Sequence, residues 1–311
     1  MGEIVFLQDG GVRRDRVEGL ASGLLPGWAV RWATGPGPVA GRARGADVIV
    51  TVNEQVGAGD LEAVRPRMVS VSFTGTDHVD LEAAGRIGVA VANVPGYATA
   101  SVAELAIGMI LACFRRIVDA DAAVRAGRWR EGLTGRELSG STVGIVGTGR
   151  IGLAVATRLA PFGVRILGWS RRPSPEIEAM GGENVALDDL LARSDVVTLH
   201  VPLVDGTRGL IGERAIALMK PGVVIVNAAR GPVVDASALA RALHDGRIGA
   251  AAIDVYDVEP VSRENPLLTA PRTLLLPHVA FATEQALDRK ATITIENVRA
   301  FLDGERMNRV A

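Results

Sequence analysis

The sequence predicts an α/β protein with two domains, each formed around a parallel β-sheet. Short apolar segments rich in β-branched residues recur about every twenty residues, and Ala-, Leu- and Arg-rich stretches with helical spacing separate them. This alternation is typical of parallel sheets, because consecutive parallel strands need a crossover between them. The chain has 311 residues, of which 48% are hydrophobic, so it can bury the cores of two domains of ordinary size.

Two series of strands and two long helices make up the predicted order of elements. The first series is expected at 4–7, 30–33, 48–52, 68–73 and 89–94, with 30–33 as the weakest candidate. The second series is expected at 143–146, 164–169, 196–201, 223–227, 250–255 and 274–276. A helical pattern over 99–128 separates the two series, and another over 283–303 follows the last strand. The helix at 99–128 is therefore a candidate connector of the two domains.

Charge and hydropathy argue against several classes of function. Lys and Arg number 34 against 35 Asp and Glu, so the chain has no strong overall field with which to hold a nucleic acid or an anionic membrane. The longest apolar run, 105–114, is about half of the roughly 20 residues that a membrane-spanning helix needs, and the N-terminus lacks the layout of a signal peptide. We therefore expect a cytoplasmic protein that binds neither nucleic acid nor membrane.

Cys113 is the only cysteine, and it lies within that apolar run. A single thiol excludes an internal disulfide and a thiolate metal cluster, and its apolar surroundings favour a structural side chain over a reactive one. The acidic pair Asp188-Asp189 lacks convergent partners for a metal ion. We therefore expect no metal site.

The most specific motif is Gly147-Thr148-Gly149-Arg150-Ile151-Gly152, which follows an apolar strand and opens an amphipathic helix. In a dinucleotide-binding turn Gly147 allows the tight turn, Gly149 lets a pyrophosphate approach the backbone, and Gly152 lets the helix pack closely on the strand. The helix N-terminus offers unpaired amide groups to the phosphates. We predict that Gly147, Gly149, Arg150, Ile151 and Gly152 bind a dinucleotide; the alternative is a tight turn without a ligand.

The end of the next predicted strand bears on the choice of cofactor. Ser170-Arg171-Arg172 stands there, about 20 residues after the glycines, where NAD-binding sites have a carboxylate for the adenosine ribose. No Asp or Glu lies beside Ser170, and two guanidinium groups suit a 2′-phosphate because Arg grips a dianion through paired hydrogen bonds. The sequence therefore favours NADP(H) over NAD(H), which stays possible; the alternative is that one or both arginines are merely solvated.

Polar residues also follow three predicted strands of the second series, at the edge where open α/β sheets bind ligands. They are Arg230, Asp254, Glu259 and His278. Hydride transfer to the carbonyl of a 2-keto acid requires a cation for the carboxylate and a proton for the developing alkoxide, which Arg230 and His278 supply. Glu259 would hydrogen-bond the imidazole and fix its tautomer, and Asp254 would accept a hydrogen bond from the nicotinamide carboxamide.

Together with several other motifs, these residues resemble those of the D-isomer-specific 2-hydroxyacid dehydrogenases, over almost the whole chain. The further landmarks are Gly75-Thr76-Asp77-His78-Val79-Asp80, Asn93-Val94-Pro95-Gly96, Ser101-Val102-Ala103-Glu104, His200-Val201-Pro202-Leu203, Lys220-Pro221-Gly222, Asn227-Ala228-Ala229-Arg230-Gly231, Asp254-Val255, Glu259-Pro260 and Pro277-His278. The resemblance implies two Rossmann-like domains with a cleft between them. A dinucleotide-binding domain of 97–280 would be inserted into a discontinuous substrate domain of 1–96 plus 281–311.

The resemblance also implies roles for individual residues. Arg230 would orient the substrate, His278 would be the acid and base, and Glu259 would support it. Pro202 and Ala228 would join the cofactor contacts. The substrate contacts would come from Asn53, Thr74 and Gly75, with backbone amides over 73–76 holding the carboxylate. A homodimer built through the dinucleotide-binding domain is expected.

The activity implied is reduction of a small 2-keto acid, such as glyoxylate or hydroxypyruvate, to a D-2-hydroxy acid. Ser170-Arg171-Arg172 resembles the NADPH-preferring glyoxylate and hydroxypyruvate reductases. Thr74 stands where phosphite dehydrogenases have a lysine, and Glu259 where formate dehydrogenases have an amide, which disfavours both of those branches. Because the sequence ends soon after Asp303, we expect it to lack the regulatory domains of long phosphoglycerate dehydrogenases. The alternative function is a cofactor-sensing binding protein of the same fold, similar to corepressors, without ketoacid turnover.

Two other histidines are rivals for a catalytic role. His78 lies in a predicted turn, where we expect a capping or solvent-facing side chain. His200 ends a predicted strand, and we expect it to be structural or weakly cofactor-lining.

Overall fold

The computed structural model describes residues 2–311, which divide into two compact units. Unit 1 comprises residues 2–98 and Ala282–Ala311, and unit 2 comprises Thr99–Phe281. Each unit has its own parallel sheet and its own buried core. The predicted fold class, two α/β domains with parallel sheets, is confirmed.

Unit 1 is formed around a parallel sheet with the strand order β2-β1-β3-β4-β5. The strands are β1 Glu3–Phe6, β2 Ala29–Trp32, β3 Val48–Thr51, β4 Met68–Val71 and β5 Ala90–Ala92. The helices between them are α1 Arg14–Leu24, α2 Val39–Arg42, α3 Ala58–Val64 and α4 Leu81–Ile87. This strand order is that of flavodoxin-like doubly wound sheets, in which loops at the carboxyl ends of the strands form the ligand-binding edge.

Unit 2 has a parallel sheet with the order β12-β11-β10-β9-β6-β7-β8. Its strands are β6 Thr142–Val146, β7 Arg165–Trp169, β8 Glu183–Asn184, β9 Val196–Leu199, β10 Val223–Asn227, β11 Ile248–Ile253 and β12 Thr273–Leu275. Its helices are α5 Thr99–Phe114, α6 Ile117–Arg125, α7 Arg150–Leu159, α8 Pro175–Ala179, α9 Leu187–Arg193, α10 Glu213–Leu218 and α11 Ala236–His244. Strand order reverses at β6, so β7 lies on one side of it and β9 on the other, as in the dinucleotide-binding Rossmann fold.

The last helix, α12 Glu284–Leu302, belongs to unit 1. Thr283 caps its N-terminus, because its hydroxyl accepts a hydrogen bond from the amide of Ala286. Its apolar face, including Ala291, Ile295 and Val298, is buried in the same core as β1 and β3. Among residues 2–311, no helix is both long enough and apolar enough to span a bilayer.

The central strands are buried along their whole length. Every residue of β3, β4, β6, β9 and β10 is buried, because helices cover both faces of each sheet. The continuous apolar runs in the sequence reflect this double coverage.

The structure differs from the sequence prediction in two elements. The helix predicted over 99–128 is two helices, α5 and α6, because Arg116 adopts a left-handed conformation with φ 52° and ends the regular helix. The short edge strand β8 was not predicted, since its two residues, Glu183 and Asn184, carry no apolar pattern. Neither difference moves the strand ends that carry the predicted site.

Lys290 of α12 is completely buried, which is unusual for a lysine. Its Nζ donates a hydrogen bond to the carbonyl oxygen of Gly10 at 2.9 Å and lies 5.8 Å from the centre of the Tyr97 ring. Burial lowers the pKa of Lys290 from 10.5 to about 8, although the charge of Asp9 partly opposes this shift.

The lowered pKa of Lys290 makes the stability of the protein depend on alkaline pH. In the unfolded chain the amine holds its proton to a higher pH than in the folded protein, so the free energy of unfolding rises between the two pKa values. We expect a gain of about 2 kcal/mol between about pH 7.5 and about pH 10 in the wild type, which Lys290→Met lacks. Urea unfolding of both proteins at both pH values measures it. Parallel pH profiles for the two proteins would contradict the assignment.

Candidate active site

The candidate site lies at the carboxyl edge of the unit 2 sheet. The strands of this sheet are parallel, so the residues that follow β6, β9, β10, β11 and β12 all emerge at one edge. The glycine-rich turn follows β6, Arg230 follows β10, and Glu259 and His278 come after β11 and β12. The topology therefore brings the predicted cofactor and catalytic segments of unit 2 to the same edge.

The glycine-rich turn is tightly packed at two of its three glycines. Gly147 has φ +101°, and a Cβ atom there would lie 2.6 Å from the carbonyl oxygen of His200. A Cβ atom at Gly152 would lie 2.0 Å from the carbonyl oxygen of Gly147. Only glycine fits at these positions, so α7 starts directly against the end of β6.

Gly149 is different, because among residues 2–311 no atom beyond its neighbours along the chain lies within 4 Å of the position of a Cβ atom there. Its backbone conformation, φ −80° and ψ −166°, is also open to other residues. Gly149 precedes the first turn of α7, where Arg150 is exposed and Ile151 is half-buried. Packing within the protein therefore does not require the glycine at 149, and the predicted contact with a pyrophosphate at the helix N-terminus would require it.

The hydroxyl of Ser170 lies at the end of β7, beside this turn. Its Oγ is 2.7 Å from Oγ1 of Thr148 and also hydrogen-bonds the carbonyl oxygen of Arg172. Arg171 and Arg172 are exposed to solvent. The hydroxyl predicted to meet the ribose therefore lies beside the glycine-rich turn, although the two are about 20 residues apart in the sequence. Pro202 is exposed after β9 and Ala228 is half-buried after β10, at the same edge.

Arg230 is held by a turn that the sequence analysis did not identify. The buried side chain of Asn227 accepts a hydrogen bond from the amide of Ala229 and donates one to the carbonyl oxygen of Arg230, both at 3.0 Å. The next residue, Gly231, packs so closely that a Cβ atom would lie 2.1 Å from the carbonyl carbon of Tyr256. This contact fixes the loop after β10 against the loop after β11.

His278 and Glu259 form the central pair of the site. The Nδ1 atom of His278 lies 2.7 Å from Oε2 of Glu259, and the two side chains are 25% and 28% exposed. His278 has φ +53°, a left-handed conformation that is costly for a residue with a Cβ atom. The ring of Phe281 meets the imidazole edge to face, with 5.9 Å between centroids. The side chain of His278 is thus fixed in orientation, with Nδ1 hydrogen-bonded to the carboxylate of Glu259.

The surroundings of Glu259 fix its orientation and keep its carboxylate ionised. Its other oxygen, Oε1, accepts a hydrogen bond from the amide of Tyr256 at 3.0 Å. Burial alone would raise the pKa of Glu259, but the hydrogen bonds from His278 and Tyr256 and the positive charge of Arg230 outweigh it, so the pKa lies below its usual value. The carboxylate is therefore ionised at neutral pH and accepts the proton on Nδ1.

Asp254 holds the turn that carries His278. Its side chain is fully buried, and its two oxygens accept hydrogen bonds from the amides of Val279 at 2.8 Å and Ala280 at 2.9 Å. Its own carbonyl oxygen accepts from the amide of His278 at 2.8 Å. Burial raises the pKa of Asp254, and the two amides partly oppose that rise. Its predicted contact with a nicotinamide carboxamide stays a prediction.

The two rival histidines are placed differently from His278. His78 is only 6% exposed, so the expectation of a solvent-facing side chain is wrong. The Nε2 atom of His200 lies 2.9 Å from Oγ1 of Thr198, and burial lowers the pKa of His200 to about 4. His200 is therefore neutral at physiological pH, and the prediction that it is structural or weakly cofactor-lining stays a prediction.

The predicted substrate contacts lie in loops at the carboxyl edge of the unit 1 sheet. Asn53, after β3, is exposed and accepts a hydrogen bond from the side chain of Gln8 at 2.7 Å. Thr74 and Gly75 follow β4, and the carbonyl oxygen of Thr74 accepts a hydrogen bond from the side chain of Asn93 at 2.7 Å. Side chains from neighbouring loops therefore brace both predicted contact loops.

Comparison with known proteins assigns the family. Residues 107–280 match the family model described as "D-isomer specific 2-hydroxyacid dehydrogenase, NAD binding domain". The chain belongs to this family. It is 42% identical over 275 residues to a glyoxylate reductase of Aeropyrum pernix, a match that covers 85% of this chain and 82% of the relative. It is 40% identical to a D-3-phosphoglycerate dehydrogenase of Mycobacterium leprae, over 89% of this chain and 53% of that protein.

Solved structures of this family have the same fold. The D-lactate dehydrogenase of Aquifex aeolicus, crystallised with NAD and lactic acid, superimposes with a TM-score of 0.88 at 28% identity and covers 99% of both chains. The matching family model is that of an NAD-binding domain, and the structure from Aquifex aeolicus contains NAD, so a nicotinamide cofactor is supported. The open position at Gly149 agrees with this.

The glycine-rich turn of this dehydrogenase allows a test that separates cofactor binding from folding. Gly149→Ala adds a methyl group where a bound pyrophosphate would meet it, so we expect the Kd for the nicotinamide cofactor, NADPH or NADH, to rise at least about tenfold. The free energy of unfolding should change by no more than about 1 kcal/mol, the cost of Ala at a helix N-cap. Gly152→Ala is the matched control, since its methyl group meets the backbone and should lower stability by about 2 kcal/mol or more. Calorimetric titration and urea unfolding measure both; unchanged binding by Gly149→Ala would refute the assigned cofactor contact.

Proposed function

We propose that the protein is a reductase of small 2-keto acids that uses a nicotinamide cofactor and produces D-2-hydroxy acids. The observation that carries this proposal is the His278–Glu259 pair, 2.7 Å apart, at the same sheet edge as Arg230 and the glycine-rich turn. Family membership and the glyoxylate reductase relatives support the same class of reaction. A cofactor-sensing binding protein without turnover is not favoured, because such a protein has no need of an acid and base held in this way.

The residues of unit 2 have distinct tasks in the proposed reaction. When bound, the cofactor supplies the hydride. Arg230 binds the substrate carboxylate, since a guanidinium offers two donors in the geometry that a carboxylate accepts. Asn227 and Gly231 hold the loop that aims it.

His278 supplies the proton. Its Nδ1 hydrogen is directed to Glu259, so Nε2 is the nitrogen that donates to the oxygen of the ketone as negative charge develops there. The ionised Glu259 stabilises the imidazolium and fixes the ring orientation, as the carboxylate of a catalytic triad does. Asp254 positions the backbone around His278, and in this proposal it also accepts a hydrogen bond from the nicotinamide carboxamide.

In unit 1, the proposed substrate contacts are Asn53, Thr74 and Gly75, with backbone amides over 73–76 donating hydrogen bonds to the substrate carboxylate. On this proposal residues 1–96 and 281–311 form the substrate domain and 97–280 the dinucleotide-binding domain. The loops that carry the contacts are braced by Gln8 and Asn93, so they present fixed backbone donors.

The proposed cofactor is NADP(H) rather than NAD(H). The support is the placement of Ser170 beside the glycine-rich turn and the two exposed arginines that follow it, with no carboxylate at Ser170. A 2′-phosphate needs cations and a hydroxyl there, whereas a bare ribose favours an acidic acceptor.

We also propose a homodimer, formed through unit 2, and a cytoplasmic location. Support for the dimer comes from large apolar side chains exposed in and directly after α6. Ile117, Val118, Val124 and Trp129 are 53%, 48%, 59% and 67% exposed. A second copy covering them is the simplest way to remove such a patch from water. The mass of the purified chain in solution tests the dimer.

The activity is tested with purified protein, NADPH or NADH, and a panel of glyoxylate, hydroxypyruvate, pyruvate and an arylpyruvate, followed at the nicotinamide absorbance band. We expect turnover of at least one small ketoacid. His278→Ala should lower kcat at least about 100-fold, and Glu259→Gln at least about tenfold, because both remove the supported proton donor. His244→Ala, an exposed histidine of the same unit, is the control. Silence across the panel with both cofactors, or full activity of His278→Ala, would refute the proposal.

The cofactor preference is tested with the double variant Arg171→Ala, Arg172→Ala. We expect kcat/KM for NADPH to fall at least about tenfold, since each lost charge-assisted contact to the phosphate is worth about 1–3 kcal/mol, while kcat/KM for NADH changes little. Arg214→Ala, a 76% exposed arginine of the same unit, controls for the loss of surface charge. Equal losses with both cofactors, or a wild-type preference for NADH, would show that these arginines do not select the phosphate.

A further inference from the structure

A line of buried polar side chains runs along α12, and the proposed chemistry does not use it directly. Lys290, Thr294 and Asn297 follow the i, i+4, i+7 spacing of one helix face, and they are 0%, 1% and 1% exposed. We call these three residues the α12 polar stripe. Burying such groups costs free energy unless each is hydrogen-bonded, so their partners indicate what the stripe holds.

Thr294 contacts the end of β4. Its Oγ1 lies 2.8 Å from Oγ of Ser72, which is itself 2% exposed, and it also donates to the carbonyl oxygen of Lys290 at 2.7 Å. Ser72 directly precedes residues 73–76, whose amides are the proposed carboxylate donors. The α12 polar stripe therefore hydrogen-bonds the residue at which the 73–76 loop begins.

Asn297 reaches the same loop by a second route. Its Nδ2 donates to the carbonyl oxygen of Asn93 at 2.7 Å, and its Oδ1 accepts from Nδ2 of Asn308 at 2.8 Å. The side chain of Asn93 in turn donates to the carbonyl oxygen of Thr74 at 2.7 Å. Two consecutive hydrogen bonds thus connect α12 with the backbone of a proposed substrate contact.

Lys290 holds the loop after β1. Its Nζ donates to the carbonyl oxygen of Gly10, where φ is +55° and a Cβ atom would lie 2.7 Å from Nζ. Gln8, two residues earlier, accepts hydrogen bonds through Oε1 from the amides of Val52, Asn53 and Glu54 at 3.0 to 3.1 Å. The stripe therefore also braces the loop that contains Asn53.

We propose that the α12 polar stripe is the positioning device for the substrate loops of unit 1, and that it sets the affinity for the ketoacid. Lys290, Thr294 and Asn297 are positioning residues, since each acts through the backbone of another loop. The proposal rests on the proposed reductase function. It assigns the C-terminal helix a role in substrate recognition beyond packing against the core.

The test compares two threonines of the same helix. Thr294 and Thr292 both donate to the carbonyl oxygen four residues earlier, at 2.7 and 3.0 Å, but only Thr294 also bonds Ser72. Thr294→Val should raise the KM for the ketoacid about 3- to 10-fold, the range that corresponds to one hydrogen bond, with kcat and the KM for NADPH nearly unchanged. Thr292→Val should leave all three values unchanged, and Thr294→Ser should restore the wild-type KM.

Hydrogen exchange of the amides of residues 72–76 supplies a readout that does not depend on turnover. We expect exchange at least about threefold faster in Thr294→Val and unchanged in Thr292→Val, with Ser72→Ala reproducing the effect and adding nothing to Thr294→Val. The proposal would be overturned if Thr294→Val kept the wild-type KM for the ketoacid, or if its amides at residues 72–76 exchanged at the wild-type rate. If Thr294→Val does not fold, Ser72→Ala decides by the same two measurements. If the wild type reduces no ketoacid, the proposed function fails, and the exchange rates alone then decide whether the stripe holds the loop.

Discussion

The hydrogen bond between Nδ1 of His278 and Glu259 is the contact on which the proposed chemistry depends. It holds Nδ1 on an ionised carboxylate, so Nε2 is the nitrogen left for the substrate, and the carboxylate stabilises the imidazolium whose Nε2 proton is donated in the proposed reduction. Much of the local structure serves this contact. Asp254 holds both amides after His278, the amide of Tyr256 orients Glu259, and Gly231 allows the Arg230 loop to pack against Tyr256. A left-handed His278 is tolerated because these bonds over-determine its backbone.

Each unit places its proposed ligand contacts at the carboxyl edge of its own sheet, but the two units hold those contacts in different ways. In unit 2, the reversal of strand order at β6 opens the edge where the glycine-rich turn lies, and the neighbouring strands bring the catalytic side chains to that edge. In unit 1, the proposed substrate contacts lie in loops at the carboxyl edge of the sheet, and hydrogen bonds from the side chains of Gln8 and Asn93 brace those loops. The buried polar side chains of α12 connect those loops, which explains why a helix in an apolar core contains a lysine, a threonine and an asparagine on its inner face.

The sequence predicted those parts of the fold and of the candidate site that depend on residues close together along the chain. The glycines at 147, 149 and 152 are recognisable because strand, turn and helix adjoin one another along the chain, and Arg230, Glu259 and His278 stand directly after strands whose apolar runs are unmistakable. The break at Arg116 was missed, since nothing in an Ala- and Leu-rich helical pattern indicates a left-handed residue. The burial of His78 and the hydrogen bonds of Asp254, Asn227 and Thr294 depend on segments distant in sequence. One of these contacts had a local signal in the sequence. Asn227 comes shortly before Gly231, and an Asn or Asp ahead of a turn that contains Gly often hydrogen-bonds the backbone of that turn.

A crystal structure of the protein with NADP and oxamate, an unreactive analogue of a 2-keto acid, tests the central claim most directly. The account predicts that Nε2 of His278 lies about 3 Å from the oxamate amide oxygen, which stands in for the ketone oxygen, with Nδ1 still on Glu259 and the guanidinium of Arg230 on the carboxylate. Oxamate bound away from His278, or an imidazole that has left Glu259 in the complex, would contradict it.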